Sequence, residues 1–176
     1  MTRILSSILA LAALVSCQTT APPGAKPVTG FKVDRYLGKW YEIARLDNRF
    51  ERGLEHITAD YSKNEDGTIA VKNRGYKVAE KEWSEANGKA KFAGDPDVGQ
   101  LKVSFFGPFY GAYNIIDLAP DYSHALVVGP DTSYLWILAR KPELDKAVLQ
   151  NLIDKAKALG FDTGNLIYVD HNTPTS

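Results

Sequence analysis

Between residues 39 and 140, apolar and polar side chains alternate in short runs that recur about every ten to fourteen residues, the period-two signature of half-buried β-strands. The pattern predicts eight strands, at 39–46, 57–63, 68–76, 85–93, 99–106, 112–118, 124–129 and 133–140. Turn residues separate them at Asn64-Glu65-Asp66-Gly67, Asp95-Pro96-Asp97, Gly107-Pro108, Pro120-Asp121 and Gly129-Pro130-Asp131. Connections this short predict an antiparallel, up-and-down order. One segment has a different period: Leu144, Val148, Leu152, Ala156 and Leu159 recur at helical spacing, with Pro142 at the start and Gly160 just past the end. A further run at 166–169 is placed to return and cover a strand edge. The expected fold is all-β, an eight-stranded antiparallel up-and-down barrel with one C-terminal α-helix packed outside. Such a barrel either fills its interior with side chains or holds one small ligand.

The N-terminus carries an address. Arg3 precedes an apolar run, 4–15, too short to cross a bilayer as a mature helix, and Leu14, Ser16 and Cys17 follow the pattern of a bacterial lipoprotein signal. That resemblance implies cleavage after residue 16 and lipidation of Cys17, with two or more acyl chains making a permanent membrane tether. Gln18 stands where an inner-membrane retention signal would place Asp, which implies the outer membrane, on its periplasmic face. Residues 17–30, rich in Pro, Gly and Thr, read as the lipidated N-terminus and a flexible linker. Fully extended, the thirteen residues after Cys17 would reach up to roughly 40 Å. The folded domain is expected at 31–170, with a tail at 171–176.

Composition narrows the chemistry mainly by exclusion. Among 176 residues, 21 basic and 21 acidic side chains balance, which argues against the phosphate-backbone affinity of a nucleic-acid binder. One Cys permits no internal disulfide, and His56, His124 and His171 have no metal-ligand spacing, so neither a metal nor another cofactor is expected. There is no Gly-x-Ser-x-Gly elbow, phosphate loop or His-Glu-x-x-His motif, and no catalytic residues are expected.

Three short motifs give the chain a family likeness. Gly38-Lys39-Trp40 opens the first strand, Asp121-Tyr122 occupies the turn before the seventh, and Arg140 ends the eighth just before the helix. In kind, order and placement these resemble the motifs of the lipocalins, with Pro120 in place of the usual Thr, and residues 49–54 and 102–111 resemble the bacterial lipocalins related to apolipoprotein D. An up-and-down order returns all three motifs to one closed end, where Arg140 can lie across the face of Trp40 and the turn at 33–37 can cap the floor. These residues are expected to be structural.

Trp40 inward places Glu42, Ala44 and Leu46 inward by alternation, and Arg140 inward does the same for Leu138, Trp136 and Tyr134. The family's inward phase adds Ile57, Ala59, Tyr61, Ile69, Val71, Asn73, Ala90, Phe92, Leu101, Val103, Phe105, Tyr113, Ile115, Ala125 and Val127. Alanines on several strands favour a cavity over a packed core. The resemblance implies a fatty acid or lysophospholipid as ligand, for lipid storage, transport or membrane repair, against the alternatives of a filled structural barrel or an enzyme. Glu42, a carboxylate facing inward, is expected to bond Asn73, Tyr134 or Arg140, or to meet a ligand cation. At the open end Phe106, Phe109 and Tyr110 form an apolar rim that serves as a ligand gate, a membrane-touching tip or a homodimer interface, and Arg45, Arg49 and Arg52 stand near it as possible steering cations.

Overall fold

The computed structural model describes residues 20–172; the expected anchor Cys17, the signal segment and residues 173–176 lie outside the described residues. The elements follow in the order α1 (Val33–Tyr36), β1 (Gly38–Arg45), β2 (Leu54–Lys63), β3 (Ile69–Lys77), β4 (Glu82–Phe92), β5 (Gln100–Phe106), β6 (Phe109–Leu118), β7 (His124–Val128), β8 (Leu135–Ala139), α2 (Lys146–Ala158) and β9 (Ile167–Tyr168). Consecutive strands pair antiparallel all the way round, and β1 closes the barrel by pairing with both β8 and β2. β2 pairs with β1 only at 38–41, and β9 takes over beside Ala44 and Arg45. The connection between β5 and β6 is tighter than expected, because Phe106 pairs with Phe109 and leaves only Gly107 and Pro108 between them.

Two apolar clusters lie on opposite faces of the wall. The inner one gathers Trp40, Tyr61, Ile69, Val71, Leu101, Ile115, Val127 and Leu138. The outer one packs α2 and its flanks through Leu144, Val148, Leu152, Ala156 and Leu159 against Leu126, Val128, Ile137 and Ala139. α2 begins where the Asp145 carboxylate accepts hydrogen bonds from the Ala147 and Val148 amides, 2.9 and 3.2 Å, satisfying two donors that the helix cannot. It stops at Gly160, whose φ of +86° suits a residue without Cβ.

The expected linker is largely docked. Ala25 is buried with Ala21 in the outer cluster, the Val28 amide donates to the Ile115 carbonyl (2.9 Å), and the Gly99 amide donates to the Val28 carbonyl (2.8 Å). Thr29 bridges Val98. Proline and threonine content suggested freedom, but Ala25 and Val28 are small apolar residues that fit the barrel wall. Three residues separate Cys17 from Ala21, a span of at most about 14 Å in place of roughly 40 Å.

Bulges reset which face each strand presents. Between Glu42 and Ala44 the pairing of β1 with β8 slips by one residue: Glu42 opposes Leu138, then Ala44 opposes Ile137 and Arg45 opposes Trp136. Ala44 and Leu46 therefore join the outer cluster under α2, contrary to simple alternation, and Arg45 turns inward.

Candidate functional site

The closed end is built by the three motifs together. Arg140 lies 4.0 Å from the centroid of Trp40 and donates to three carbonyls: Lys39 (2.9 Å), Arg35 (2.8 Å) and Tyr122 (3.3 Å). Burial lowers the guanidinium's pKa somewhat from its usual value. Trp40, fully buried, donates its indole N–H to the Tyr36 carbonyl (2.8 Å), which fixes α1 across the floor. Gly38, at φ +89°, supplies the left-handed turn into β1. Asp121 accepts from the Ser123 amide (3.0 Å), and Tyr122 accepts from the Lys32 amide at its hydroxyl (2.9 Å). Pro120, in the usual Thr position, offers its carbonyl to Arg35 (2.9 Å).

Above this floor three tyrosines lock together. The Tyr113 hydroxyl is 2.7 Å from that of Tyr36 and 2.9 Å from that of Tyr61. Burial raises all three phenol pKa values, so the triad stays neutral and hydrogen-bonded. Phe92, expected to line a cavity, is drawn down against Phe31 (6.3 Å between centroids).

Higher up, the inner wall is less completely buried. Ala59, Val103, Phe105 and Trp136 belong to the inner cluster yet are only half-buried, as is Asn73, which lies opposite Ala59 across the β2–β3 ladder. Solvent therefore reaches side chains that face the barrel axis. The wall on β4 is made of small residues, since Gly75, Asn73, Val71 and Ile69 of β3 pair with Ser84, Ala86, Gly88 and Ala90. At Gly88 a Cβ would come within 2.8 Å of the Phe105 ring, so only glycine lets that ring lie flat against the wall. Ile57 is buried beside Gly75 within a bulge in β2, and Tyr134 stacks on Trp136 at the mouth (6.1 Å). Ile115, Val71 and Val127 are buried in the inner cluster, as expected.

A charged cluster sits in this upper lumen. The bulge in β1 brings Arg45 to Glu42, Nη1 to Oε1 2.9 Å, both almost fully buried. The other terminal nitrogen of Arg45 donates to the carbonyls of Glu51 (3.0 Å) and Leu54 (3.3 Å), and its Nε is buried without a partner. Glu51, from the β1–β2 loop, reaches inward and accepts from the Trp136 indole (2.9 Å) and the Asn48 amide. Burial, then the nearby Glu51 carboxylate, push the Glu42 carboxyl well above its usual pKa, and Arg45 opposes them. Glu42 is thus paired with Arg45, not with Asn73, Tyr134 or Arg140. Among the buried side-chain atoms, Asn73 Oδ1 and Ser104 Oγ have no hydrogen-bond partner. Alternation hides this cluster, because Glu42 and Arg45 lie on opposite faces of any regular strand.

The rim is wider than expected. Phe106 and Phe109 are 72% and 74% exposed, while Tyr110 is half-buried under Lys91, 4.6 Å from its ring. Exposed Phe50 on the β1–β2 loop, and Val78 and Trp83 around the β3–β4 loop, join them, since loops after odd-numbered strands share one end. Arg49 lies over Phe50 (4.8 Å), but Arg52 is occupied by Asp47 (2.6 Å). Among the described residues no cluster of His, Cys, Asp and Glu could hold a metal ion.

A closed eight-stranded barrel with an outer helix, a Gly-x-Trp floor and a capping arginine agrees with the family model described as lipocalin-like domain, which matches residues 31–171. The chain belongs to the lipocalin family. It falls in the branch of bacterial outer-membrane lipoproteins with more distant likeness to apolipoprotein D. The outer membrane lipoprotein Blc of Vibrio cholerae serotype O1 is 52% identical over 149 residues, 84% of this chain and 87% of that protein. Its namesake in Escherichia coli K12 is 51% identical over 157 residues, 89% of each chain. Mouse apolipoprotein D is 30% identical over 184 residues, covering 95% of this chain and 96% of its own. Among solved structures, insecticyanin of the tobacco hornworm Manduca sexta shares the lipocalin fold with a TM-score of 0.70 over 86% of each chain, at 22% identity. The role of this lipocalin is binding a hydrophobic ligand.

Proposed function

We propose that this lipocalin holds a single-chain amphiphile, a fatty acid or lysophospholipid, in the upper lumen. It would do so while tethered through lipidated Cys17 to the periplasmic face of the outer membrane, in lipid storage, transport or membrane repair. The observation that carries this reading is the row of inward but half-buried side chains, Ala59, Val103, Phe105 and Trp136, facing the small residues of β4. A barrel filled for structure alone would bury these positions completely. Burying a sixteen-carbon chain yields on the order of 12 kcal/mol at about 0.8 per methylene, enough to exceed an association cost of several kcal/mol. Hydrogen-bonding groups gathered near Trp136 and Arg45, above an apolar wall, suit one polar head and one alkyl tail.

Native mass spectrometry of the protein purified from a bacterial envelope, titrated with palmitate, lysophospholipid and diacyl phospholipid, tests the reading. Stoichiometric single-chain adducts that vanish in a folded Ala59→Trp variant are expected. Adducts that persist in that variant would place the lipid elsewhere, and none at all would leave the barrel a structural one.

A further inference from the structure

The β1–β2 loop does more than border the mouth. Asn48 is buried, accepts the Phe50 and Glu51 amides at its Oδ1 (3.0 and 3.2 Å), and so turns the chain to deliver the Glu51 side chain inward. There the Glu51 carboxylate meets two side-chain donors, the Trp136 indole at 2.9 Å and the Asn48 amide. Close by stands the buried guanidinium of Arg45, which holds the loop by the Glu51 and Leu54 carbonyls and keeps one N–H unpartnered. An indole N–H and a carboxamide N–H on one carboxylate, with the Arg45–Glu42 pair beside it, form a receptor for an anion. The anion that fills it belongs to the protein itself.

We infer that Glu51 is a built-in stand-in for the ligand's head group: the anionic head of a single-chain amphiphile, carboxylate or phosphate, displaces the Glu51 carboxylate from Trp136 and Asn48, beside the Arg45–Glu42 pair, and releases the β1–β2 loop. This rests on the lumenal reading above and adds the head-group chemistry and the exchange. The displaced Glu51 returns to solvent at the mouth, beside the exposed Phe50 and Arg52. Arg45 keeps its Glu42 partner through the exchange, so no buried cation is left bare at any stage.

Two experiments on the mature sequence with Cys17→Ser test it, using palmitate, palmitoyl lysophosphatidylglycerol and uncharged hexadecanol. The first compares affinities. Glu51→Gln removes the competing charge and should raise the preference for the anionic lipids over hexadecanol about tenfold, and Arg45→Gln should lower it about tenfold. The second needs no variant and so survives if Arg45→Gln fails to fold. Trypsin should cut after Arg49 or Arg52 several-fold faster with an anionic lipid bound than with hexadecanol bound, because only the former frees the loop. A response to palmitate alone assigns the site to a carboxylate, and one to the lysophospholipid alone assigns it to a phosphate. Tight binding of all three lipids with no head-group dependence and equal cleavage would overturn the exchange and leave lumenal binding standing. Failure of hexadecanol and both anions to bind would overturn both.

Discussion

Replacing Arg140 with Met tests whether the floor of the barrel is held as described. The substitution keeps the aliphatic stem and removes three charge-assisted hydrogen bonds, to Lys39, Arg35 and Tyr122, together with the contact on the Trp40 face. Such bonds are worth about 1.5–3 kcal/mol each when buried, but Arg140 is only half-buried and water can replace part of what is lost, so about 1 apiece is appropriate. The cation–π contact adds about 1 kcal/mol at a partly exposed site. Together these bring the expected cost to about 4 kcal/mol. At about 3 °C per kcal/mol for a domain of this size, Tm falls by about 12 °C. Arg140→Lys, which keeps the charge but reaches fewer carbonyls, should lose about half as much. Thermal and urea unfolding of the mature sequence give both numbers. Because Arg140 lies beneath Trp40 and outside the lumen, palmitate affinity of the folded variant should be unchanged. A Tm within 2 °C of the unaltered protein, or a loss of affinity equal to the loss of stability, would refute the reasoning.

Other consequences follow from the same contacts. Glu42 has a folded pKa raised above its ordinary value near 4.5, so the folded state binds more protons and stability falls as pH rises from about 4.5 towards the folded pKa. Urea unfolding from pH 4 to 8 should show that decline in the unaltered protein and a flatter profile in Glu42→Gln. Ala44→Leu should overpack the interface with α2 and cost about 1–3 kcal/mol by thermal unfolding, with lipid affinity retained; loss of affinity alone would return Ala44 to the lumen. Hydrogen exchange should find the Val28 and Gly99 amides strongly protected, as their 2.9 and 2.8 Å bonds require, whereas a free linker would exchange Val28 at once. Phe106→Ser with Phe109→Ser should slow lipid uptake from vesicles several-fold and leave stability nearly unchanged, since both rings are mostly exposed.

Most of the barrel was legible because its signals are local. Alternation marks strands, Asp95-Pro96-Asp97 and its counterparts mark turns, and the spacing of Leu144 to Leu159 marks a helix whose inner face is the one observed. The floor was legible for a different reason: Trp40, Tyr122 and Arg140 must share an end once the strand order is up-and-down. The head-group cluster was not. It depends on the bulge after Glu42, which changes backbone register without requiring a distinctive side chain, and everything above it on β1 inverts as a result. Glu51 was hidden because a loop residue has no periodicity from which to infer its direction, and Asn48, whose turn directs it, looks like any other loop asparagine. The docking of residues 21–30 is invisible to composition, which reports what a segment prefers alone and not which surface receives Ala25 and Val28.

The central claim, that the lipid chain lies inside the barrel, is tested most directly by fluorescence quenching with brominated palmitate. Trp136 faces the upper lumen, Trp83 lies outside on the β3–β4 hairpin within 3.8 Å of Arg74, and Trp40 is sealed in the floor. In Trp83→Phe protein, where Trp136 is the tryptophan within reach of the lumen, bromine should quench strongly and saturate at one lipid per chain. In Trp136→Phe protein the remaining emission should be quenched far less. Strong quenching in Trp136→Phe and little in Trp83→Phe would put the lipid on the outer surface and contradict the account.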